Sequence, residues 1–142
     1  MRMIFPNLPV QDVQASRDFF AALGFGFNEA FSDETTASVV LEENITVMLL
    51  ETERFESFIQ NEIAPRDTTE VLLALSCESK DEVQELAAKA RAAGAGAWKD
   101  PIDMGFMYGE SFRDLDGHVW ELMWMDPAAA QGGAGEAEGA AG

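Results

Sequence analysis

One cysteine and one histidine stand among 142 residues, and 9 basic residues face 26 acidic ones. The lone Cys77 excludes an internal disulfide and suits a reducing cytoplasm. It lies inside an apolar strand pattern, so packing accounts for it better than nucleophilic catalysis does. The net charge of -17 argues against nucleic acid or an anionic membrane as partner, because both need a basic surface that displaces counterions. The excess acid reads as a well-solvated surface. No apolar run approaches the length of a membrane span. Met1-Arg2-Met3-Ile4-Phe5 runs at once into Pro6, too short for the apolar region of a signal peptide. A soluble, cytoplasmic protein is expected.

Hydrophobic residues make up 47% of the chain, with ten Phe, seven Met and three Trp. That is the composition of one globular domain with a sizeable core. From Ala128 to Gly142 the chain holds only Ala, Gly, Gln and Glu, and a disordered tail is expected there. Residues 1–127 divide into two similar halves, about 1–60 and 66–127. In the first, Arg2 to Val10 reads as a strand interrupted by Pro6 and Pro9, hence an edge or bulged strand. Asp12 is a candidate N-cap, Val13, Ser16, Phe19, Phe20 and Leu23 fall on one helical face, and Gly24 ends the helix. Strands follow at Phe25–Ala30, Ala37–Leu41 and Ile45–Leu50, then a short helix over Glu53–Ile59. The second half repeats the order. Val71–Cys77 is a strand, Ser79 and Glu82 have capping-box spacing, and Val83, Leu86, Ala87 and Ala90 make a buried helical face. Ala97–Lys99, Met107–Arg113 and His118–Met125 supply three more strands. The pattern is a duplicated βαβββ unit and the fold class is α+β.

The segment Phe112 to Trp124 is the most informative. Asp116-Gly117 between β-forming runs is a strong hairpin signal. Beyond it, Val119, Glu121 and Met123 alternate with His118, Trp120, Leu122 and Trp124. Glu121 thus shares a strand face with apolar residues, where a carboxylate either faces water at a sheet edge or needs a cation, a metal or a proton. His118 reads as a general acid/base or as a turn residue bonding Asp114 or Asp116, and the second reading is favoured.

Asp114-Leu115-Asp116-Gly117-His118-Val119-Trp120-Glu121 is similar to the last hairpin of the vicinal oxygen chelate superfamily, which includes glyoxalase I, extradiol dioxygenases and bleomycin-resistance proteins. Asn7 to Phe20, followed by Leu23-Gly24-Phe25, resembles its opening strand and first helix. The resemblance covers about residues 1–127. It implies two βαβββ modules whose curved mixed sheets surround a ligand cleft. It also implies a divalent metal held by residues on equivalent strands of the two modules. Carried over position by position, the ligand places fall on Phe5, Met48, Leu72 and Glu121. Three of these are apolar, and the neighbours Asn7, Thr46, Glu51 and Glu70 include no histidine. A lone carboxylate holds no catalytic metal usefully.

The expected cleft is therefore metal-free and needs no cofactor. Its candidate residues are Phe5, Asn7, Met48, Leu72, Met104, Met107, Tyr108 and Glu121, with Leu50 and Met123 beside them. The expected partner is a small cationic or aromatic molecule: Glu121 with Tyr108 would orient a cationic or hydroxyl-bearing ligand, and the Gly-punctuated, Met-rich loop around Met104 would adapt to it. The resulting expectation is a metal-independent binding or sequestering protein of the bleomycin-resistance kind, acting as a homodimer. The alternative is a glyoxalase-like lyase or dioxygenase with a divalent metal at shifted ligands such as Glu51, Glu70 and Glu121.

Overall fold

The computed structural model describes residues 2–132. The Asp12 carboxylate accepts the Gln14 and Ala15 amides and so ends strand β1 (Asn7–Val10) and starts helix α1 (Val13–Ala22). Ser79 does the same for α3 (Lys80–Ala92), accepting the Glu82 amide at 3.0 Å. Glu82 reaches back to the Glu78 amide, one residue earlier than the usual reciprocal partner. Both helices end at glycines in the left-handed region, Gly24 at φ 101° and Gly94 at φ 107°.

The remaining elements are β2 (Gly26–Phe27), a 3-10 turn (Glu29–Phe31), β3 (Thr36–Glu42), β4 (Ile45–Glu51) and α2 (Thr52–Glu56). After a linker come β5 (Leu72–Ser76), then beyond α3 β6 (Gly96–Ala97), β7 (Ile102–Asp103), β8 (Met107–Arg113), β9 (Val119–Met125) and α4 (Pro127–Gly132). The first sheet runs β1-β4-β3-β2 and the second β5-β9-β8-β6, so the two modules share one topology. In each, the first strand lies parallel to the last and the other pairings are antiparallel. The architecture is α+β with two curved mixed sheets, as the duplicated sequence pattern implies.

Several boundaries differ from the sequence reading, each for a local reason. β1 begins only at Asn7. Pro6 still offers its carbonyl to the Met48 amide at 2.8 Å but has no N–H to continue the ladder. β2 is two residues long because the Asn28 side chain accepts the Ala30 amide and turns the chain into the 3-10 segment. The expected strand at Ala97–Lys99 is replaced by β6 and β7, which pair with β8 on either side of Pro101. Ala128 to Gly132, expected as the start of a disordered tail, are helical instead, because Asp126 accepts the Ala128 amide and Pro127 opens α4. Residues 133–142 of that segment lie outside the described residues. Among the described residues no helix is long and apolar enough to cross a membrane.

One face of each sheet packs on the helices, and the two modules share a single core. Leu8, Val47 and Leu49 from the first sheet, Phe112, Trp120 and Leu122 from the second, and Phe19, Phe20 and Val83 from the helices belong to it. Aromatic contacts cross between modules: Phe20 of α1 lies 5.3 Å from Trp120 of β9, and Phe19 lies 6.1 Å from Phe112 of β8. Such pairs add about 0.5–1.5 kcal/mol each beyond the area they bury. Phe20→Ala is expected to lower stability by about 3–5 kcal/mol. Because the core is shared, far-ultraviolet circular dichroism and tryptophan fluorescence should report one coincident transition in wild type. Two separated transitions would show that the modules fold independently.

Candidate functional site

β9 carries Trp120 and Leu122 into the shared core, and the alternation turns Glu121 and Met123 to the opposite face. In register, Glu121 stands between Ala74 of β5 and Ser111 of β8. It is half-buried and borders a depression of about 30 Å³ with Lys99, Ile102, Met107 and Met123. That space holds about one water molecule. Exposed apolar side chains also lie elsewhere on the second module. Leu72 and Met104 are each 51% exposed, and Ile102 and Phe106 are exposed too. Met107, by contrast, is 1% exposed. The loop at Met104 is closed by its amide, which donates to the Met107 carbonyl at 2.9 Å.

Tyr108 is not on this face. β8 starts at Met107, so Tyr108 shares the helix-facing side with Glu110 and Phe112. Its hydroxyl donates to Glu110 at 2.9 Å, and Arg91 donates to the other Glu110 oxygen at 3.1 Å. The Lys80 ammonium sits 4.8 Å from the ring centroid. Burial pushes the Tyr108 hydroxyl pKa up, although a hydrogen bond with Gln84 opposes this. The expected pairing of Glu121 with Tyr108 therefore does not form: the residues stand on opposite faces of adjacent strands.

On the first sheet, Asn7 lies opposite Met48 in register, and Leu50 follows on the same face. The Asn7 amide donates to the Phe5 carbonyl at 2.7 Å. The structure thus sets Asn7 and Met48 on one sheet, with Phe5 just before it, and Leu72, Met107 and Glu121 on the other, with Met104 in the loop before β8. No residue of β1 or β4 lines the depression beside Glu121.

The donor set does not fit the metal centre that the fold suggests. Phe5 and Leu72 offer no side-chain ligand atom, Met48 offers only a soft thioether ill-matched to an N/O site for Zn, Ni, Fe or Mn, and Glu51 accepts the Val13 amide at 3.0 Å. Glu70 borders a different cavity. Among the described residues, no three His, Cys, Asp or Glu side chains are placed to hold a metal ion.

That other cavity, about 390 Å³, lies where the modules meet, between the end of β1, α2, the linker and the turn before β9. The sequence reading missed it because its walls come from four distant stretches of chain. The Asp114–His118 turn forms one wall and ties the modules together. Asp114 is buried; its Oδ1 accepts the Asp116 and His118 amides, and its Oδ2 accepts the Trp120 indole N–H at 2.9 Å. So held, Asp116 accepts the Gln11 amide at 2.8 Å. The bond to Asp114 that the sequence suggested is made by the His118 backbone amide, while the ring Nε2 donates to the Pro9 carbonyl at 2.7 Å. Arg66 of the linker donates to the Leu115 carbonyl at 2.7 Å.

Burial raises the Asp114 pKa above the ordinary carboxylate value, outweighing the His118 charge and the N–H donors that lower it. The folded chain therefore holds this proton more tightly than the unfolded chain. The Asp114 contribution to stability is greatest below the ordinary carboxylate range and is lost as pH rises through the raised value. Carbon NMR should show Asp114 titrating above the usual aspartate range, and Asp114→Asn should remove that part of the pH dependence of urea denaturation. An Asp114 resonance titrating in the ordinary range would refute the assignment.

No curated protein sequence matches this chain. A hypothetical protein from S. aureus is 29% identical, with a TM-score of 0.75 over 87% of this chain and 94% of its own. A glyoxalase-related enzyme from Fulvimarina pelagi is 17% identical, with a TM-score of 0.74 over 87% of this chain and 88% of its own. The fosfomycin resistance protein of Listeria monocytogenes shares the fold at 17% identity and a TM-score of 0.63, over 87% and 93% of the two chains. The family model for the glyoxalase/bleomycin resistance protein/dioxygenase superfamily matches residues 3–122. With the two βαβββ modules in the same strand order, that match makes this chain a member of the glyoxalase/bleomycin resistance protein/dioxygenase superfamily.

Proposed function

We propose that this protein binds a small organic ligand, cationic or aromatic, on the Glu121 face of its second sheet, without a metal ion. The observation that carries the reading is Glu121 itself: a half-buried carboxylate beside Ile102, Met107 and Met123, with, among the described residues, no partner His, Cys, Asp or Glu placed to hold a metal with it. A carboxylate in such surroundings favours an ammonium or hydroxyl group attached to an apolar body. The depression beside it is too small for such a ligand in one chain, which supports a homodimer in which a second copy completes the site. The single cysteine supports a cytoplasmic location.

The bleomycin-resistance branch of the family and the fosfomycin resistance neighbour supply the comparison for a protein that handles a drug-sized molecule. Glu121 would orient the polar group, and Met104 and Leu72 would cover the apolar part.

Elemental analysis of the purified protein should find Zn, Ni, Fe and Mn far below one per chain, and adding these ions should leave the melting temperature unchanged. Stoichiometric metal that disappears in Glu121→Ala would overturn the metal-free reading. Light scattering should give twice the chain mass, and Leu72→Asp should shift it toward one chain. A monomer at micromolar concentration would sink the dimer.

A further inference from the structure

We propose that the cavity at the junction of the two modules is a second binding site, one that takes a small organic cation with an apolar body. The cavity shares no lining residue with the depression beside Glu121. Its volume of about 390 Å³ lies within the roughly 300–1,000 Å³ of small-molecule sites.

Its floor is the edge of the core at Leu8, Val10 and Val119, all buried, and its roof is apolar linker surface at Ile63, Pro65 and Val71. That pairing suits a flat or short hydrocarbon body. Glu56 of α2 and Glu62 and Glu70 of the linker also line it. Among the described residues, none of these three side chains makes a hydrogen bond or ion pair, whereas the other charged groups of the wall are already engaged. Asp116 holds the Gln11 amide, and Arg66 donates to the Leu115 carbonyl.

These facts sort the possible ligands. An anion would enter against three unpaired carboxylates, with the one guanidinium turned to a carbonyl. A metal ion finds no three donors placed to hold it, and a hydrated ion gains nothing from an apolar floor. An ammonium on a hydrocarbon body satisfies both surfaces: charge meets the carboxylates near the mouth and the body covers the floor. The hairpin wall is fixed in advance by the Asp116–Gln11 and His118–Pro9 bonds, so little of it must be ordered on binding.

The test is a titration of the isotope-labelled full chain with phenethylamine, followed through its backbone amide resonances. Phenylpropionate and benzyl alcohol serve as anionic and neutral controls of similar shape. The amine should move the amides of Gly117, His118, Val119 and Thr69 to Val71, with any shift at Ser111, Glu121 and Met123 reporting the separate Glu121 site. The exposed triple substitution Glu56→Gln, Glu62→Gln, Glu70→Gln should weaken binding by roughly tenfold or more while its spectrum elsewhere matches wild type. No shifts at millimolar amine would overturn the proposal, as would equal binding of either control or an unchanged affinity in the triple variant. Shifts confined to the Glu121 face would assign the amine to the site proposed above and remove this one.

Discussion

A buried carboxylate in this fold survives only if its oxygens are saturated, and Asp114 meets that condition through the groups that build the last hairpin. Two backbone amides and the Trp120 indole converge on it. An acceptor buried without those donors costs about 1–3 kcal/mol, so the turn and the carboxylate hold each other in place. The consequences spread outward from there. Trp120 is oriented toward Phe20, which joins α1 to the second sheet. Asp116 and His118 are aimed at the backbone of residues 9–11, which joins β1 to the same turn. Asp114 itself touches neither β1 nor α1 through a hydrogen bond, yet both attachments depend on its turn.

Much of this was legible in the chain. The duplicated βαβββ order follows from hydrophobic period, caps and glycine stops, all of which are local signals. The alternation of Val119, Trp120, Glu121 and Leu122 sets Glu121 and Trp120 on opposite faces, and β9 obeys it. The parity of β8 was harder to read. Met107, Tyr108, Phe106 and Met104 are all apolar or aromatic, so their order carries no periodic signal, and Tyr108 was set on the wrong side. Only the cross-strand register, which pairs Tyr108 with Trp124, decides it.

The His118 partner and the junction cavity were out of reach for a different reason. Each is made by residues more than a hundred positions apart, or by four segments at once. Sequence periodicity speaks of faces within an element and is silent on which loop end meets which strand end. The missing metal ligands show the converse. An absence at defined positions can be read from sequence alone, because the side chains of Phe5 and Leu72 carry no donor atom wherever they point and Met48 carries only a soft thioether.

The parallel pairings of β1 with β4 and of β5 with β9 have a consequence for how the chain is made. In each module the strand that begins the unit is locked by the strand that ends it. The first module can close its sheet once Glu51 has been synthesised, but Phe19 and Phe20 then lack the aromatic surfaces that Phe112 and Trp120 will supply. A nascent chain of this protein therefore carries an apolar helix face open to solvent until nearly the whole domain has left the ribosome. The two halves are duplicates in topology, yet in the order of synthesis the first must wait for the second.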